Sequence, residues 1–261
     1  MLELGSHTDV GLVRSQNEDF LGSIVPEDAA VLNRKGSFFI VADGMGGHSA
    51  GDVASRTAVE RALYVYYHEA NDPSGVQKNL EMAVKAANKA VNEASSKLGG
   101  SAKMGTTFVG ILIHGNKAYV ANVGDSRCYL IRDGKLEQVS KDHSWVAMQV
   151  AMGEMTEEEA EKSDERNILV RCIGEHPDVV VDIDIVDLQS KDAMLICSDG
   201  LHGMVSKTEL RLRVMQMSAQ TAAFSLVDLA NKNGGVDNIS VQILKLHKVG
   251  PPIAIPVNGH A

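Results

Sequence analysis

Three apolar runs in this chain end at, or start from, an aspartate. Phe39-Ile40-Val41-Ala42 leads into Asp43-Gly44, Leu195-Ile196-Cys197 leads through Ser198 into Asp199-Gly200, and Asp237-Asn238 opens the run that begins at Ile239. Asp-Gly and Asp-Asn are ordinary turn residues, and any one of them alone reads best as a turn. Three together read differently. Ala42-Asp43 and Ser198-Asp199 set a carboxylate directly after a buried run, where losing water is costly without a partner. A hard cation is the fitting partner for clustered carboxylates, and oxygen-only ligands select Mg²⁺ or Mn²⁺.

Two further acidic sites accompany them. Asn122-Val123-Gly124-Asp125-Ser126-Arg127 sits in a tight turn between two strands, and Asp125 reads equally well as a turn former and as a ligand. In Arg14-Ser15-Gln16-Asn17-Glu18-Asp19 the arginine is either half of a surface ion pair, worth little, or a fork for phosphate beside carboxylates that hold metal-bound water. The glycine-rich Asp43-Gly44-Met45-Gly46-Gly47-His48 would cradle a phosphate at the start of a helix, but its spacing fails as a dinucleotide fingerprint. The chain has no P-loop pattern and no G-x-S-x-G nucleophile elbow.

The elements that must position these residues follow from periodicity. The segment ahead of residue 45 reads as short strands. Two helices come next. Ser49 with Asp52 three residues on is a capping-box pattern, and Ala54, Ala58, Ala62 and Tyr66 recur every four residues. Pro73 and Ser74 open the second helix, Val76, Leu80, Ala83, Val84, Ala87 and Val91 share one face, and Gly99-Gly100 closes it. Strands are predicted over 106–113, 118–123 and 127–132, with hairpin turns at His114-Gly115-Asn116 and Asp133-Gly134. Residues 144–176 read as a small helical excursion, followed by strands at 179–186 and 193–197 and helices near 206–217 and 219–232. Ile239, Val241 and Ile243 alternate with Ser240 and Gln242, which predicts a last, half-buried strand. This order points to antiparallel sheets with helices packed outside, not to a doubly wound parallel fold.

Composition narrows the function classes. The chain has 261 residues, 25 basic against 34 acidic side chains, and a net charge of −9. That is a poor charge balance for a nucleic-acid binder. Hydrophobic content of 44% excludes bulk disorder. No run approaches the ~20 apolar residues of a membrane helix, and the first residues do not make a secretory signal. Cys128, Cys172 and Cys197 are too scattered for a disulfide framework or a zinc knuckle, so the expected compartment is the cytoplasm. One domain is expected over residues 1–248, with a proline-containing tail at 249–261.

Six motifs now stand in a fixed order: Arg14 with Asn17-Glu18-Asp19, Val41-Ala42-Asp43-Gly44-Met45-Gly46-Gly47, Met104-Gly105-Thr106-Thr107, Val123-Gly124-Asp125-Ser126-Arg127, Ser198-Asp199-Gly200-Leu201 and Asp237-Asn238-Ile239-Ser240. In that order the chain resembles a bacterial type 2C metal-dependent serine/threonine protein phosphatase. The resemblance implies an α+β fold, a four-layer α-β-β-α sandwich of two antiparallel sheets flanked by helix pairs, with residues 144–176 as a flap. It also implies two core Mn²⁺ or Mg²⁺ ions and a third, weaker one. Asp43 would bridge the core ions and Gly44 would offer its carbonyl. Asp199 and Asp237 would hold the second side, and Asp125 the third ion together with Asp199. Glu18 and Asp19 would bind metal-coordinated waters, and Arg14 would grip the phosphate. Met45 stands where animal members have a histidine, so that general acid is missing; His48 is the nearby candidate for a substrate contact. Ser163-Asp164-Glu165 precede Arg166-Asn167 where bacterial members commonly carry His-Pro.

The reading is a monomeric cytoplasmic phosphatase that removes phosphate from phosphoserine and phosphothreonine on proteins, the substrates of a Ser/Thr kinase, by a metal-activated water without a phosphoenzyme. Its rivals are a phosphatase of small phosphorylated metabolites and a catalytically inactive phosphoprotein-binding module; a nucleotide-binding scaffold fits least well. Cys197 is expected in the core, and Met148, Met152 and Met155 are expected to pack. His143 reads as a capping or turn residue, and His202 carries no partner pattern.

Overall fold

The structure, a computed structural model, describes residues 2–46, 50–72, 75–97 and 104–248. The expected His48, Ser49, Pro73-Ser74, Gly99-Gly100 and tail 249–261 lie outside these residues.

Two antiparallel sheets form the centre. One is five-stranded, in the order β1 (Leu2–Asp9), β11 (Ile239–Leu246), β10 (Ala193–Cys197), β7 (Arg127–Arg132), β8 (Lys135–Gln138). The other is six-stranded, in the order β2 (Asp19–Ile24), β3 (Ser37–Met45), β5 (Phe108–His114), β6 (Lys117–Val123), β9 (Asp182–Asp187), with β4 (Gly105–Thr106) paired to the end of β3.

The period-2 alternation of each strand sorts its side chains between layers. Phe38, Ile40 and Ala42 pack with α2 (Ala50–Tyr64) and α3 (Val76–Lys97). Phe39 and Val41 instead meet Met194, Ile196 and Leu244 of the other sheet. On the far side Leu195, Cys197, Val241 and Ile243 pack with α7 (Lys207–Gln216) and α8 (Ala219–Lys232). The layers therefore run helices, sheet, sheet, helices, as the resemblance implies.

Several local expectations are corrected. α1 (Ala29–Lys35) stands where only strands are predicted; the Asp28 carboxylate caps it by accepting from the amides of Ala30 and Val31. β3 does not stop at Asp43 but runs on to Met45, because Gly44 and Met45 find partners in Thr106 and Gly105. The strand predicted over 106–113 is broken at Thr107. The helix predicted to carry Tyr66 ends at Tyr64 and gives way to a π-helical turn, Val65–Glu69. The last strand is not half-buried. Ser240 and Gln242 are as buried as their apolar neighbours, because they face the second sheet instead of water. In 144–176 the expected excursion is present as α4 (Trp145–Met152) and α5 (Glu157–Lys162), but Met152 is 63% exposed and packs on little. Among the described residues no helix is long and apolar enough to cross a membrane.

Candidate metal centre

Strand parity brings the first two carboxylates together. Asp43 shares the inward parity of Phe39 and Val41, and Asp19 that of Leu21, so both lie at the rim of the space between the sheets; they are also register partners. Asp199 begins α6 (Asp199–His202) directly after β10, and Asp237 lies just ahead of β11. Those two strands are neighbours in the other sheet. The Asp125 turn joins β6 of one sheet to β7 of the other.

The backbone around these side chains is held by the residues of the six motifs. The Asp43 amide donates to Thr107 Oγ1 (2.9 Å), and the Asp43 carbonyl accepts from the Thr106 hydroxyl (2.8 Å) and the Thr107 amide (2.8 Å). Thr107 Oγ1 in turn lies 2.7 Å from Ser126 Oγ, next to Asp125. Gly44 is required by space: a Cβ there would sit 2.1 Å from the Gly51 carbonyl and 2.4 Å from that of Glu18. Gly124 combines a positive φ of 110° with a Cβ position 2.8 Å from Thr107, so a larger residue would be strained twice over. Asn238 organises the segment that carries Arg14. Its Oδ1 accepts from the Glu18 amide (2.8 Å), and its Nδ2 donates to the carbonyls of Val10 and Gln16 (2.9 Å each).

The electrostatics are those of a cation site. Desolvation, then repulsion from Asp199 and Asp237, pushes the Asp19 carboxyl up to about 7, although Ser198 Oγ donates to it at 2.8 Å. Desolvation and the surrounding aspartates Asp19, Asp199, Asp125 and Asp237 raise Asp43 well above the ordinary value. Asp125 is pushed up to about 8 by desolvation and by Asp199. Asp199 is raised by desolvation and by Asp237. One oxygen each of Asp19 and Asp199 is buried without a hydrogen-bond partner. Orphaned, mutually repelling carboxylates fit divalent cations. Among the described residues no three Asp, Glu, His or Cys side chains gather round a single point as one ion's ligand set.

Arg14 does not pair within its own motif. Its Nη2 donates to Asp237 Oδ2 at 2.8 Å, and its side chain is 53% exposed, at the open edge of the cluster. Glu18 lies against the start of α2, where a Cβ added to Gly51 would stand 2.7 Å from its carboxyl carbon; desolvation raises its pKa.

With this geometry in place, comparison with known proteins is decisive. The family model described as Protein phosphatase 2C matches residues 14–230. The chain belongs to the protein phosphatase 2C family. A relative in Listeria monocytogenes, serine/threonine phosphatase stp, is 36% identical over 245 residues, covering 91% of this chain and 93% of that one. The crystal structure of the Mycobacterium tuberculosis serine/threonine phosphatase PstP/Ppp matches with a TM-score of 0.81 at 34% identity, covering 94% of this chain and 98% of that one. The catalytic domain of PstP in complex with two manganese ions matches with a TM-score of 0.79 at 32% identity, over 94% of this chain and 97% of that one.

Within this phosphatase fold, two residues that sequence reasoning left in the background stand next to the site. His143 and His202 both bond the backbone of the Gly124-Asp125 turn. No spacing signals this, because their partners lie 19 and 77 residues away. Asp52, predicted as a capping partner, has a buried, unpartnered oxygen and raises the Glu18 pKa. Arg166 is turned onto its own segment, donating to the Ser163 carbonyl at 3.3 Å.

Proposed function

We propose that this chain hydrolyses phosphoserine and phosphothreonine on proteins, opposing a Ser/Thr kinase, as a monomeric cytoplasmic enzyme. One catalytic domain spans residues 1–248, residues 144–176 serve as a flap over the site, and 249–261 are a tail. The observation that carries the reading is the convergence of Asp19, Asp43, Asp125, Asp199 and Asp237 in one mutually repelling cluster with an exposed arginine at its edge.

Asp43, the Gly44 carbonyl, Asp199 and Asp237 would hold two divalent cations, and Asp125 with Asp199 a third. Bound there, Mn²⁺ or Mg²⁺ supplies a water of lowered pKa and neutralises charge on the phosphoryl oxygens. The chain's own residues do the rest. Arg14 leaves Asp237 and turns its planar fork to the phosphate, which frees Asp237 as a ligand and adds bidentate recognition at the open side. Glu18 and Asp19 accept hydrogen bonds from ordered water, with Asp19 fixed by the Ser198 hydroxyl. Thr106 and Thr107 keep the Asp43 peptide from moving as charge develops. Cys128 and Cys197 are buried with their thiols pushed up by desolvation, so neither serves as a phosphoryl acceptor. His48 remains the candidate substrate contact.

The test is phosphate release from a phosphothreonine peptide with Mn²⁺, with and without chelator. Mn²⁺-dependent release that stops on chelation is expected. Release unaffected by chelator, or none at all with Mn²⁺ and Mg²⁺, would overturn the reading.

A further inference from the structure

The Gly124-Asp125 turn is gripped from two sides by imidazoles. On one side the Gly124 amide donates to His143 Nδ1 at 3.0 Å, while the His143 amide donates to the Gly124 carbonyl at 2.9 Å. Because Nδ1 accepts, the ring proton sits on Nε2, which faces Asp182 Oδ2 at 3.2 Å. Arg171 Nη1 donates to Asp182 Oδ1 at 2.7 Å, so the carboxylate stands between two donors, this guanidinium and the His143 Nε2–H, which approach each other to 3.0 Å without bonding. His143 is 6% exposed, and its carbonyl accepts from the Val170 amide at 2.9 Å, so it also anchors the root of the 144–176 segment. On the other side His202 Nε2 lies 3.1 Å from the Asp125 carbonyl and must donate to it. His202 ends the short helix that begins with Asp199, so this bond ties the two carboxylates proposed to share an ion.

We propose that His143 and His202 are positioning residues that fix Asp125 as a cation ligand, the His143 ring by holding the Val123–Gly124 peptide one residue ahead of it and the His202 ring by holding the Asp125 carbonyl behind its Cα. With the Gly124 amide and the Asp125 carbonyl both held, the stretch of backbone between them, which carries the Asp125 side chain beside Asp199, loses freedom to rotate. Gly124 alone would not achieve this, since its permissive backbone allows the turn to swing. The two rings use different nitrogens, and that difference makes the inference testable. Asparagine places its amide oxygen near the position of Nδ1, and glutamine places its amide nitrogen near that of Nε2. His143→Asn should therefore keep the clamp and His143→Gln should lose it, whereas at position 202 glutamine should keep it and asparagine should lose it.

The inference rests on the reading of Asp125 as a ligand, so Asp125→Ala is the reference. Mn²⁺ binding is titrated calorimetrically on the full chain without substrate, with a thermal melt of each variant beside it. His143→Ala and His202→Ala should weaken the weakest Mn²⁺ site by about 10- to 100-fold, the range for partners that orient ligands, and leave the tighter sites unmoved. His143→Asn and His202→Gln should bind as wild type. If Asp125→Ala leaves every site intact, the ligand reading and the clamp both fall. If Asp125→Ala abolishes the weak site but the alanine variants lower only the melting temperature, the clamp alone falls. Should the alanine variants not fold, the asparagine–glutamine pairs decide, and equal affinities within both pairs would overturn the inference.

Discussion

The carboxylates on the closed side of the cluster and the one at its open edge are handled in opposite ways. Asp19 and Asp43 sit at the rim of the inter-sheet core, and their charge is opposed by desolvation and by each other. Asp237 is 25% exposed and already has a cation, the Arg14 guanidinium. The closed side is thus a standing demand for external positive charge, whereas the open edge carries its own. A site built this way binds its cations most strongly where the protein offers nothing in return. At the open edge it carries a cation of its own, the half-exposed Arg14 guanidinium.

The sharpest way to break this contrast is on the closed side. Asp43→Asn removes the most frustrated charge, and turnover should fall by more than about 100-fold, beyond the loss typical of a ligand's supporting partner. The same variant should melt higher than wild type in chelator, since a neutral amide relieves the repulsion. Wild-type turnover at limiting Mn²⁺ would remove Asp43 from the centre. On the open edge the expected effect is smaller and of a different kind. Arg14→Ala should raise KM about tenfold with a lesser fall in kcat, as loss of ground-state phosphate binding does, and Arg14→Lys should recover part of it. Steady-state kinetics with an unchanged KM in both variants would leave Arg14 as a surface ion pair.

The smallest expected effect is a shift in melting temperature. Burial and the neighbouring aspartates push Asp19 up to about 7 and Asp125 up to about 8 in the folded chain, against about 3.9 when unfolded. Native protein therefore holds more protons than unfolded protein between those values. The stability these groups allow is fully present below the unfolded pKa and is lost as pH rises through 7 to 8. In chelator the melting temperature should drop by a few degrees from about pH 5.5 to about pH 8, and added Mn²⁺ should raise it more at the higher pH, where fewer protons compete. Equal Mn²⁺ effects at both pH values would show that the cluster is neutralised by something other than bound cations.

Much of this was legible in sequence because strands and helices leave periodic traces. The run Ala193–Cys197 is a strand with the predicted bounds, and Asp43, Asp125, Asp199 and Asp237 are brought together as their motif order implied. Short elements leave weaker traces: α1 rests on the Asp28 cap and the four-residue β8 on its hairpin with β7. The misreading of Ser240 and Gln242 has a specific cause. Alternating polar residues usually face water, but here Ser240 Oγ lies 2.7 Å from Thr8 Oγ1 and lowers the pKa of Asp19 of the other sheet, and Gln242 Nε2 donates to the Gly22 carbonyl, also of the other sheet. Polar satisfaction across a sheet interface has no period, and neither do the bonds of His143, His202 and Asn238. The residues that orient the ligands were therefore harder to read than the ligands themselves.

The pairing of β1 with β11, from Leu2 against Leu246 to Asp9 against Ile239, has a consequence for how the protein is made. During synthesis β1 leaves the ribosome long before β11, its one strand partner among the described residues, and it stays unpaired until residues 239–246 emerge. The bonds of Asn238 to Val10, Gln16 and Glu18, and that of Asp237 to Arg14, wait for the same event. The nascent chain can fold its six-stranded sheet and the helices over it earlier, but the arginine loop and the last carboxylate are assembled together, in the final step.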